Sequence, residues 1–118
     1  MITEDDLLSS AMLYDLLEDH FPWVHIVGMA RTVKDSIAFL KDNKIDLLFL
    51  DIELPDGTGF DILAGSETKN FSVIITTSYV TYAGTGKFIN LVDFLVKPVT
   101  LGALANAMRR YDQQFQTK

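Results

Sequence analysis

A chain of 118 residues, 48% hydrophobic and 22% charged, fits one globular domain able to bury its own core. It has no cysteine, which excludes a disulfide framework and a thiolate zinc site, and its net charge of −6 argues against gripping a nucleic-acid backbone. No apolar run approaches a membrane span and no basic-then-apolar leader opens the chain, so a cytoplasmic single domain over 1–118, with no effector domain, is expected.

Met1, Ile2 and Thr3 are barely long enough for a strand, and they lead straight into Glu4, Asp5 and Asp6. Leu8, Met12, Leu13, Leu16 and Leu17 then recur at helical spacing, with Asp15, Glu18 and Asp19 between them, and Pro22 stops that helix. Trp23 to Met29 reads as a second strand, rich in β-branched and aromatic residues. Thr32 and Asp35 match a capping box ahead of Ile37, Ala38 and Leu40, predicting a second helix to about Lys44.

Ile45 to Leu50 is an apolar run broken only by Asp46, and it ends abruptly at Asp51 before Pro55, Gly57 and Gly59 force a turn. A third helix near Gly59 carries Phe60, Ile62, Leu63 and Ala64. Phe71 to Thr77 is a further strand. A helix over Thr81 to Asn90 is weakened by Gly84 and Gly86, each costing about 1 kcal/mol relative to Ala. Leu91 to Val96 is the last strand, ending at Lys97-Pro98. Thr100 caps a final helix with an inward stripe of Leu101, Leu104, Ala105, Met108 and Tyr111, and a polar tail that frays.

Alternating strands and helices predict an α/β fold with a parallel sheet. Ligands in such sheets bind outside the carboxyl ends of the strands. Glu4 and Asp5, Asp51, Thr77 with Ser78, and Lys97 all end strands and can converge on one rim. Crowded carboxylates repel unless a cation sits among them, and an oxygen-only set suits Mg²⁺. Asp51 is the candidate nucleophile for a phosphoryl group, Lys97 offers a positive charge and Thr77 a hydroxyl.

Ile2 to Asp6, Leu50 to Pro55 with Gly59, Thr77-Ser78 and Leu95 to Pro98 together resemble the receiver domain of two-component response regulators. Thr77 to Ala83 and Asp93 to Pro98 are similar to receivers that precede LytTR-type DNA-binding domains. The resemblance implies a flavodoxin-like, doubly wound five-stranded parallel sheet in the order 2-1-3-4-5, with helices on both faces. It implies that Asp51 accepts the phosphoryl group from a sensor histidine kinase. Mg²⁺ would be held by Glu4, Asp5, Asp51 and the backbone carbonyl of Glu53. Lys97, before a cis Pro98, would pair with the phosphate. Thr77 would be the switch hydroxyl and Phe94 the aromatic that follows it. Ser78 matches a position kept small, and Glu53 and Tyr79 match positions that tune phosphoryl lifetime. The readout face, through which two copies could pair, would be the fourth helix, last strand and last helix. No nucleic acid or membrane contact by this domain is implied.

Three features depart from the family pattern. The first strand is unusually short, so either it is truncated or something else completes the sheet centre. Gly84 to Lys87 predicts a short or mobile fourth helix, and no effector domain follows Tyr111. Two other functions compete: a pseudo-receiver that only binds partners, and a small Mg²⁺-dependent phosphohydrolase, which would want an Asp where Glu53 stands. Gly84 to Lys87 is not a phosphate-binding loop, because position 81 is Thr81 and Lys87 precedes Phe88. His20 and His25 read as surface residues, Arg109 and Arg110 as a solvated pair near a helix end. Trp23, Phe39, Phe49, Phe60, Phe71 and Phe88 read as core.

Overall fold

The computed structural model describes residues 1–66, 70–78 and 90–116. Tyr79, the segment 84–88 and most of the expected fourth helix lie outside the described residues. The elements are β1 (Ile2–Thr3), α1 (Leu7–His20), β2 (Met29–Ala30), α2 (Val33–Asp42), β3 (Leu47–Asp51), β4 (Glu53–Leu54), β5 (Gly57–Thr58), α3 (Gly59–Gly65), β6 (Ser72–Thr77), β7 (Leu91–Val96) and α4 (Leu101–Gln116). A five-stranded sheet runs β2-β1-β3-β6-β7, with every pair parallel. Counting these five strands in chain order gives the expected 2-1-3-4-5. The extra pair, β4 and β5, is a small antiparallel hairpin around Pro55 and Asp56.

β3 is buried along its whole length, as its unbroken apolar run requires of a strand covered on both faces. Leu47, Phe49 and Ile74 pack on the side of α1 and α4, with Leu13, Leu17, Leu104 and Met108. Leu48, Leu50, Ile52 and Ile75 pack on the other side with Leu40 and Ile62. The alternation follows from the two-residue period of a strand.

Several expectations change. The strand expected over Trp23–Met29 shrinks to Met29–Ala30, because β1 begins at Ile2 and the residues before Met29 have no neighbouring strand to pair with. Trp23 is therefore 59% exposed rather than core, resting edge-on against Phe21. On α1, Leu8 and Met12 are exposed at 69% and 44%, while Leu13 and Leu17 carry the burial. On α4 the inward stripe is Leu104, Ala107 and Met108, with Leu101 exposed, and the helix continues past Tyr111 to Gln116. Arg109 and Arg110 therefore lie inside that helix, where Arg110 pairs with Asp93 of β7 at 3.1 Å and Arg109 with Asn106.

The helix caps position the loops. Thr32 accepts from the Asp35 amide at 3.0 Å, as its pattern predicts. Thr58 and Asp61 form the full reciprocal capping box of α3, an unforeseen pair with the same Thr-x-x-Asp spacing. Gly59 opens α3 directly beneath Asp51: a Cβ there would stand 2.5 Å from the Asp51 carbonyl oxygen and 2.9 Å from Leu50. Backbone cannot yield as a flexible side chain can, so Gly59→Ala is expected to destabilise the fold by about 1–3 kcal/mol. Urea unfolding of the variant checks this, with an unchanged midpoint as the contrary result.

Candidate functional site

The carboxyl ends of β1, β3 and β7 bring the expected polar residues to one rim. Glu4, continuing β1, is fixed by its amide donating to the Ala30 carbonyl at 2.9 Å. It is 5% exposed, and its Oε2 accepts from the Asp6 amide. Asp5 beside it is half-buried, and the Arg31 guanidinium reaches its backbone carbonyl. Asp51 ends β3 at 3% exposure, with Oδ1 accepting from the Glu53 amide at 3.2 Å and Oδ2 from the Lys97 ammonium at 3.1 Å. Lys97 also forms an ion pair with Glu4 Oε1. The Lys97-Pro98 peptide bond is cis.

One carboxylate oxygen from each of Glu4, Asp5 and Asp51 lies within 4.8 Å of the others. An open groove of about 410 Å³ covers them, lined also by Glu53, Ser78 and Lys97. Three carboxylates against one ammonium leave a surplus of negative charge in a partly dehydrated place. Burial pushes the Glu4 carboxyl up to about 7; the nearby Asp51 adds to that, and the Lys97 hydrogen bond opposes it. Burial by itself would lower the Lys97 ammonium, but its bonds to Glu4 and Asp51 outweigh this and raise it. A hard cation would relieve the same repulsion, and the oxygen-only donor set fits Mg²⁺.

Thr77 and Phe94 are placed differently. Thr77 ends β6, fully buried, its carbonyl accepting from the Lys97 amide at 2.8 Å. It does not line the groove. Phe94 stands opposite Ile75 in the sheet register, on the face packed by Ile75 and Val73. Thr77 lies two residues beyond Ile75 and shares that face. Ser78 is exposed at the groove edge. His20 and His25 are exposed, as expected, and away from the rim.

Sequence reading missed Asp56. Its carboxylate accepts from the Val33 amide at 2.7 Å and the Lys34 amide at 3.1 Å, tying the β4–β5 hairpin to the first turn of α2. Those two amides hold its carboxyl below the usual range. No local pattern shows this, since the partners lie some twenty residues away in the chain.

The sequence profile of the response regulator receiver domain matches residues 1–109. The chain belongs to this family. The receiver is 31% identical over 120 residues to the sensory transduction protein LytT of Bacillus anthracis, covering 100% of this chain and 48% of that one. LytT of Enterococcus faecalis is 37% identical over 101 residues, covering 83% of this chain and 41% of that protein. The receiver thus spans about half the length of these curated relatives. Among solved structures, the response regulatory domain of mrkE from Klebsiella pneumoniae superposes with a TM-score of 0.86 at 24% identity, covering 99% of this chain and 97% of that one. The CheY-like receiver domain from Methylobacillus flagellatus gives 0.75 at 17% identity, covering 93% and 94%. These two likenesses speak for the fold alone. Among the described residues, no helix is long and apolar enough to cross a membrane.

Two outcomes follow from the charge balance. Without metal, folded Glu4 keeps its proton to about pH 7, whereas an unfolded Glu releases it near 4.5. Its contribution to stability is therefore present below the unfolded value and lost as pH rises toward 7. Urea titrations in chelator should show the wild-type stability, relative to Glu4→Gln, falling across that window; a constant difference refutes this. Asp5→Asn removes one repelling charge, so the metal-free protein should melt about 2–6 °C higher while losing most of its Mg²⁺-induced rise in Tm. Calorimetry with and without Mg²⁺ measures both.

Proposed function

We propose that this receiver is a phosphoacceptor of a two-component phosphorelay, in which Asp51 takes a phosphoryl group from the phosphohistidine of a sensor histidine kinase. The observation that carries this reading is the joining of three clustered carboxylates with an ammonium that already holds Asp51 Oδ2. An Asp51 carboxylate oxygen forms the new bond to phosphorus as the bond to the histidine nitrogen breaks, leaving an acyl phosphate and a free imidazole. Glu4, Asp5, Asp51 and the Glu53 carbonyl would hold Mg²⁺, which supplies charge neutralisation on the transferring oxygens. Lys97 shifts from the Asp51 carboxylate to the added phosphoryl oxygens, a short move for a side chain already within reach.

Thr77 is the switch residue in this reading, turning its hydroxyl toward the modified Asp51. Phe94, on the same face of the neighbouring strand, responds to the space that Thr77 vacates. The signal emerges on the face of β7 and α4, where Val96 and Leu101 are exposed and Asp93 pairs with Arg110. That face would pair two copies and control a downstream output, transcription in a LytTR-type regulator. The domain acts in the cytoplasm on itself, promoting its own phosphorylation and dephosphorylation.

Intact-mass measurement after incubation with acetyl phosphate and Mg²⁺ tests the reading. The wild type should gain one phosphoryl group and Asp51→Ala none. Lys97→Ala should retain the metal but lower the phosphorylation rate by about tenfold or more. An adduct that forms on Asp51→Ala, or none on the wild type, overturns the assignment.

A further inference from the structure

The first turn of α2 lies between the two loops that carry the acids of the rim. On one side, the Ala30 carbonyl accepts from the Glu4 amide at 2.9 Å, and the Arg31 guanidinium reaches the Asp5 carbonyl at 3.4 Å. On the other, the Val33 and Lys34 amides donate to the Asp56 carboxylate at 2.7 Å and 3.1 Å. The run Ala30–Lys34 thus ties the Glu4–Asp5 segment and the β4–β5 hairpin to one short piece of chain. None of its residues lines the acidic groove.

A helix start leaves its first amides without an intrahelical acceptor, and it favours a negative partner. The local cap of α2 meets only part of this need, since the Thr32 hydroxyl takes the Asp35 amide. The Val33 and Lys34 amides are taken from across the loop by Asp56. Each carboxylate oxygen accepts from a different amide, which fixes the hairpin turn in direction as well as distance. At Gly57, the next residue, a Cβ would stand 3.2 Å from Val33 Cγ2, so hairpin and helix are in close contact there.

The clamp bears on the rim through Glu53. In an antiparallel pair, the amide and carbonyl of one residue point the same way, alternately toward the partner strand and away from it. The Ile52 carbonyl accepts from the Gly59 amide across the hairpin, so both backbone groups of Glu53 turn outward. Its amide donates to Asp51 Oδ1 at 3.2 Å, and its carbonyl is therefore directed to that same side.

We propose that Asp56 is a positioning residue for the divalent cation: by clamping the hairpin to the first turn of α2, it holds the Glu53 carbonyl in place beside Glu4, Asp5 and Asp51. This builds on the Mg²⁺ site of the proposed function and adds to it a residue that does not itself line the groove. Mg²⁺ demands near-ideal octahedral geometry, so a ligand carried on a loosened hairpin lowers affinity. Outer partners that hold metal ligands in place typically contribute about 10–100-fold in affinity.

Titration calorimetry of Mg²⁺ into the wild type, Asp56→Ala, Asp56→Asn and Thr32→Ala, at one pH and ionic strength, tests this. Asp56→Ala should weaken binding by about tenfold. Asn loses the same charge but keeps an oxygen that accepts from one of the two amides, so Asp56→Asn should bind about threefold tighter than Asp56→Ala. Thr32→Ala loosens the same helix start without touching the hairpin, and should stay within about twofold of the wild type. In the metal-free protein, hydrogen exchange at the Val33 and Lys34 amides should quicken by about tenfold or more in Asp56→Ala. Wild-type affinity in Asp56→Ala overturns the proposal. Equal losses in Asp56→Ala and Asp56→Asn assign the effect to charge alone, and an equal loss in Thr32→Ala assigns it to helix stability; either result also overturns it. A wild type that binds no Mg²⁺ overturns the metal site itself, and this inference with it.

Discussion

The structure depends on one electrostatic arrangement: Glu4 and Asp51, both nearly buried, share the ammonium of Lys97. Removing carboxylates from water is unfavourable unless a partner compensates, and a single ammonium cannot balance three acids. The rim therefore folds with a surplus of negative charge that a cation could relieve.

The sheet makes that arrangement possible. Parallel strands deliver their carboxyl ends to one edge, and β1, β3 and β7 place Glu4, Asp51 and Lys97 there although they are separated by most of the chain. The surrounding loops are held by caps as well as by the packing of Ile52 and Leu54 on the core. Asp56 pins the β4–β5 hairpin to α2, and Thr58 with Asp61 starts α3. Gly59 lets α3 begin against the Asp51 backbone, where a side chain would collide. The acidic rim is thus fixed from several sides by backbone and cap hydrogen bonds.

Much of this was legible in the order of residues. The apolar run ending at Asp51, the Leu91–Val96 strand before Lys97-Pro98 and the Thr32 cap each carry a local period or a cap spacing, and local patterns survive into the fold. The misreadings have a common cause. Trp23–Met29 has every strand propensity but lacks a neighbour, and pairing rather than propensity makes a strand. On α1 and α4, helical spacing is satisfied by more than one stripe, and only the position of the sheet decides that Leu13 and Ala107 face inward while Leu8 and Leu101 do not.

By itself the sequence determined the class of fold, the strand ends and the chemical types of the groups gathered there, because hydrophobic period and turn residues act over short stretches of chain. Only the tertiary structure decided the distances: the closeness of the Glu4, Asp5 and Asp51 oxygens, the grip of Lys97 on two of those residues, and the reach of Asp56 to α2. Each of these joins residues far apart in the chain. Their separation is fixed by how sheet and helices pack, and no short stretch of sequence contains it.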